Sequence, residues 1–133
     1  MKKALLFTAL MLLAFNLSFS QATFETGAIG VDVNEYGKIE LFNVDGIYQL
    51  WRTSILVGTS STSVFDYQND AEVFEPTVLV SNPSMSDYEI YGAYDNSYSG
   101  EPPAVVVKLN AYGWTGDGFI IVKFNIANAS GTA

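Results

Sequence analysis

Apolar residues recur with a period of two between Phe119 and Ala127. Ile120, Val122, Phe124 and Ile126 fall on one face, and Phe119, Ile121, Lys123, Asn125 and Ala127 on the other. That period marks a half-buried strand. Gly116-Asp117-Gly118 before it and Asn128-Ala129-Ser130-Gly131 after it are turn chemistry. With one wholly apolar face and both ends punctuated, this stretch is predicted to be the strand around which the chain is organised.

The remainder reads as short strands divided by turns. Ala28 to Val33 and Lys38 to Phe42 alternate on either side of Asn34-Glu35-Tyr36-Gly37, which predicts a β-hairpin. Asn43-Val44-Asp45-Gly46 is a second turn. Further strands are predicted over Ile47–Trp51, Ser54–Gly58, Val64–Tyr67, Tyr88–Tyr94 and Val105–Tyr112. Glu72–Phe74 and Thr77–Ser81 flank Pro76, which belongs at an edge or a bulge. Asn82-Pro83-Ser84 and Asp95 to Pro103 are loops. No segment has a helical period. Eight or nine strands at this spacing predict an all-β fold, an antiparallel β-sandwich of immunoglobulin-like or jelly-roll-like type. Gly131-Thr132-Ala133 follows the last strand either as an ordinary C-terminus or, on the favoured reading, as a turn into another strand of a longer secreted protein, with the sandwich then incomplete.

The N-terminus has a different pattern. Lys2 and Lys3 precede an apolar run from Ala4 to Phe15 broken only by Thr8, and small residues follow at Ser18, Ser20 and Ala22. This predicts a secretory signal peptide over residues 1–22, with a single domain over 23–133; cleavage after Ser20 fits the same rule. The run is shorter than the roughly 20 residues of a spanning helix. The expected location is therefore secreted, extracellular or at the cell surface, with the periplasm as the alternative, and without membrane insertion after cleavage.

Composition then removes several function classes. The formal charge is −8, and His and Cys are absent. An acidic surface repels phosphate backbones and anionic membranes, so nucleic-acid binding is not expected. A cysteine-free exported domain must be held by its apolar core alone, without disulfides. Without His and Cys, Ser-His-Asp and Cys-His catalysis cannot be built, and zinc, haem and iron–sulfur sites lose their usual ligands. No Ser-x-x-Lys pair and no Gly-x-x-x-x-Gly-Lys loop is present. Paired carboxylates of glycosidase type are open to any chain with 14 Asp and Glu, and here the densest group, Asp66, Asp70, Glu72 and Glu75, reads as a solvated loop and edge. No cofactor is expected. Calcium is the one metal this composition could hold, and the nearest loop, Asp32 to Gly37, reads better as a hairpin turn.

Val31 to Ile39 and Asp117 to Gly131 resemble the N-terminal β-rich region of large secreted surface proteins of Bacteroidetes-type bacteria. The resemblance covers under a quarter of the chain. It implies export and β-sandwich architecture, in a family whose members often carry a C-terminal sorting domain, and it brings no catalytic residues.

Aromatic residues are the most suggestive chemistry. Tyr88, Tyr91, Tyr94 and Tyr98 cluster beside Asp87, Asp95 and Asn96, and Tyr112 and Trp114 follow. Exposed aromatics stack on sugar rings, and carboxylates and amides take the hydroxyls. Tyr91, Tyr94 and Trp114 are the candidate ligand-binding residues on that reading. In a strand Tyr88 and Tyr94 share one face and Tyr91 takes the other, and packing across strands explains the same residues. The expected function is a non-catalytic structural or adhesion-type module. The alternatives are a carbohydrate-binding module or an accessory domain of a secreted hydrolase. Expected partners are a polysaccharide or another cell-surface protein, with self-association through an edge strand as a further expectation.

Overall fold

The computed structural model describes residues 21–131, except 52, 54, 68, 101 and 102. The signal peptide predicted over residues 1–22 lies outside them up to residue 20.

Among the described residues there are ten strands, and all their pairings are antiparallel. The first sheet holds β1 (Ala22–Glu25), β2 (Ile29–Val33), β3 (Ile39–Asn43) and β4 (Tyr48–Leu50). A two-stranded ribbon follows, β5 (Leu56–Ser60) with β6 (Ser63–Asp66). The last sheet holds β7 (Glu72–Leu79), β8 (Tyr88–Asp95), β9 (Val105–Gly113) and β10 (Ile120–Asn128), in the order β10-β9-β8-β7. Within each sheet every hydrogen-bonded strand pair is also adjacent in sequence. These are meanders joined by hairpins, without the crossovers that immunoglobulin-like and jelly-roll topologies use.

One buried cluster takes residues from all three sheets: Phe24, Val31, Val33 and Ile39 from the first, Phe65 from the ribbon with Tyr67 just after it, and Ile90, Tyr94, Val107 and Leu109 from the last. Their alternation is the period of two seen in the sequence. Phe24 stacks on Tyr88 with ring centroids 5.3 Å apart, and Tyr67 meets Tyr94 edge-on at 5.3 Å and Phe124 at 5.7 Å. Such ring pairs contribute about 0.5–1.5 kcal/mol each beyond the area they bury. Two buried threonines clasp the sheets. Thr26 donates its hydroxyl to the Asp117 carbonyl at 2.6 Å, and Thr77 donates to the Asn34 carbonyl at 2.9 Å. An all-β fold of antiparallel sheets with one shared core is consistent with the sandwich expectation.

Three expectations need correction. The strand over Phe119–Ala127 is present as β10, but it is an edge, and β9 occupies the interior of the sheet. On its apolar face Ile120, Val122 and Phe124 are half-buried while Ile126 is 48% exposed. The two runs flanking Pro76 are one strand, β7, also at an edge, with two register shifts along it. The proline interrupts the ladder without ending it, as edge position allows. Finally, β1 was not anticipated. A domain boundary between Ala22 and Thr23 would cut it, since Ala22 is buried opposite Val33. Cleavage after Ser20 leaves β1 whole.

The Asn34–Gly37 hairpin is held by its own side chain. The Asn34 side-chain oxygen accepts the backbone N–H groups of Tyr36 at 3.0 Å and Lys38 at 2.9 Å. Gly37 closes the turn at φ +77°, the left-handed region that favours glycine.

Candidate functional site

The residues singled out from the sequence do not come together. Tyr94 is fully buried on the inner face of the last sheet, its hydroxyl paired with that of Thr77. Burial pushes the Tyr94 phenol up to about 12. It is a core residue and cannot stack on a sugar. Tyr91 is half-buried on the opposite face, as the alternation required. Its hydroxyl donates to Glu75 at 2.6 Å, and Lys108 reaches the same carboxylate at 3.3 Å. The Tyr91 hydrogen bond, with help from Lys108, holds the Glu75 carboxyl below its usual value, and Glu75 raises Lys108 in turn. Burial raises the Tyr91 phenol. Trp114 lies beyond the end of β9, tilted against Phe119 at 6.0 Å. Tyr91 pairs with Asn110, so Trp114 is four residues further along, roughly 13 Å at strand rise.

A different aromatic group is available to ligands. On the outer face of the first sheet Phe42 meets Tyr48 edge-on at 6.4 Å, and Tyr48 meets Trp51 at 4.7 Å. Tyr48 is 50% and Trp51 61% exposed. The Lys38 ammonium sits 4.5 Å from the Trp51 ring centroid and pairs with Glu40. The local sequence explains the arrangement. Lys38, Glu40 and Phe42 alternate with the core residues Ile39 and Leu41, and the turn at Asn43–Gly46 returns Tyr48 opposite Phe42. A register shift between Leu41 and Phe42 splays β4, which leaves Trp51 at the rim.

Polar groups share this face. Asp32 stands opposite Glu40 and accepts both contacts from the Gln21 amide, at 2.8 and 2.7 Å. Partial burial is the main cause that raises the Asp32 carboxyl, and nearby Glu40 adds to it. Beside Phe42 a cleft of about 220 Å³ is lined by Glu25, Gly30, Asn43 and Val44. Gly30 allows the ring to lie flat there, because a Cβ would fall 1.9 Å from a Phe42 ring atom. Tyr36 and Tyr98 flank a separate cleft of about 350 Å³ with Asn69 and Glu72.

The corner of two exposed rings with charged neighbours can bind by stacking and hydrogen bonding. Among the described residues no group of three or more His, Cys, Asp or Glu could hold a metal ion. The signal that could have found the corner was Phe42-x-x-x-x-x-Tyr48-x-x-Trp51 around an Asp-Gly turn, where hairpin geometry brings aromatics to one face. Comparison with protein-family models, curated proteins and solved structures returned no match.

Proposed function

We propose that the protein is an exported, non-catalytic module of structural or adhesion type, which works by contact through the outer face of its first sheet. The observation that carries this reading is the Tyr48–Trp51 corner. Two large rings stand half or more exposed beside Lys38 and Glu40, on the face turned away from the core. Aromatic side chains so placed supply contact area at low cost in side-chain entropy. The resemblance of Val31–Ile39 and Asp117–Gly131 to secreted surface proteins supports the location.

A carbohydrate-binding module is the second reading, favoured by Asp32, Gln21 and Glu40 beside the rings. On this reading the stacking residues are Tyr48 and Trp51, with Tyr91, Tyr94 and Trp114 outside the site. The experiment is co-sedimentation with insoluble polysaccharides and with whole bacterial cells, run beside Trp51→Ala, Tyr48→Ala and Trp114→Ala. Loss of cell or glycan binding in the first two variants alone supports the corner, and the bound material separates the two readings. Binding to neither, or binding unchanged by both variants, would sink the proposal.

A further inference from the structure

The edges of the sheets differ in how they meet solvent. β7 carries Pro76 and two register shifts, and β1 and β4 have four and three residues. Irregular or short edges resist further pairing. β10 does not have these features. Its nine residues pair with β9 in one unbroken register, and no strand among the described residues lies on its other side.

We propose that two copies of this chain join through β10, antiparallel about a two-fold axis at Phe124, so that the two last sheets become one. Hydrogen-bond parity restricts the register. Ala129 N–H donates to the Ala104 carbonyl at 2.9 Å, continuing the β9–β10 ladder. Antiparallel bonding alternates, so the odd-numbered residues of β10 bond to β9. The backbone groups of Ile120, Val122, Phe124 and Ile126 then point to the open edge. A second β10 offers the same set, so even-numbered residues must stand opposite even-numbered ones.

Centring the pair on Phe124 meets that condition and matches the side chains. Val122 stands opposite the second copy's Ile126, so the residue left 48% exposed on the apolar face gains a cover. On the outer face Lys123 stands opposite the second copy's Asn125, and Ile121 opposite its Ala127. No like charges oppose each other. The chain holds 14 Asp and Glu, none of them in β10, where Lys123 is the only charge. Repulsion between two acidic copies is therefore low along this edge, and salt strengthens the pairing by screening what remains.

The test uses the chain purified after export from a bacterial host. Sedimentation over a range of concentrations is expected to show a monomer–dimer equilibrium that shifts to dimer with added salt. Ile126→Lys, at a position already half exposed, is expected to weaken the dimer at least about tenfold while leaving the melting temperature near the parent value. The absence of cysteine gives a register test. Lys123→Cys mixed with Asn125→Cys is expected to crosslink under mild oxidation, and each variant alone about tenfold more slowly, because only the mixed pair stands directly opposite. A monomer at all concentrations, a dimer indifferent to Ile126→Lys, or crosslinking indifferent to mixing each overturns the proposal, the last by pointing to another register or another pairing partner.

Discussion

Two groups of aromatic side chains sit on opposite sides of the same fold and do opposite things. Tyr67, Tyr94 and Phe124 meet edge-on inside, where Tyr94 has Thr77 as a polar partner and the Tyr67 hydroxyl fills the space a side chain at Gly37 would need. Phe42, Tyr48 and Trp51 meet with similar geometry outside, where the polar partner of the rings is the Lys38 ammonium. Ring–ring geometry therefore does not separate core from site. What separates them is the parity of each residue along its strand and whether backbone or solvent closes the far side of the ring.

Substitutions can break each side of this contrast. The largest loss is expected from Gly37→Ala, because φ is +77° and a Cβ would fall 1.9 Å from the Tyr67 hydroxyl. About 3 kcal/mol or more should be lost, measured by urea unfolding. An unchanged midpoint would show that the inner group does not close against the hairpin. Gly30→Ala is the outer counterpart. It displaces only the Phe42 ring, so about 1–3 kcal/mol is expected, with a shift in Trp51 fluorescence as the corner rearranges. Tyr94→Phe should cost about 1 kcal/mol, since Thr77 keeps the Asn34 carbonyl as a partner. Trp51→Ala should stay within about 0.5 kcal/mol of the parent protein and act on binding alone.

The smallest effect concerns acid. Glu75 titrates below its ordinary value of 4.5 in the folded chain, so its contribution is present above that value and is lost as pH falls through the lowered one. Asp32 titrates above its ordinary value of 3.8, so its charged form opposes folding, and protonation relieves this as pH falls through the raised value. The two outer faces thus pull in opposite directions on acidification. Urea midpoints of Glu75→Gln and Asp32→Asn between pH ~3 and ~6 should diverge from the parent in opposite senses, and parallel curves would remove the distinction.

Much of the fold was legible in the sequence because alternation and turn residues act locally. The β2–β3 hairpin, the β8 and β9 strands and the opposed faces of Tyr91 and Tyr94 follow from the period of two. Position within a sheet was not legible. β10 has the cleaner apolar face, while β9 carries Lys108 and Asn110 on its outer side, yet β9 is interior. Alternation reports one buried face and says nothing about neighbours on either flank. β1 was hidden because four residues with Thr23 and Glu25 facing out stand directly against the predicted leader. The aromatic corner was missed for a related reason. Density along the chain drew attention to Tyr88–Tyr98, but a pleated strand sends dense aromatics to both faces, whereas a hairpin gathers sparse ones on one.

The strictly sequential order of strands has a consequence for how the chain reaches this state. Each strand within a sheet can pair as soon as it emerges, because its partner is the strand made just before it. Synthesis from the N-terminus therefore allows the first sheet to zip before the last is complete. The contacts that join the sheets, among them Phe24 on Tyr88, Thr77 on Asn34 and Thr26 on Asp117, must wait for the later strands. Folding would then be gated by one late docking step rather than by a search among distant strands.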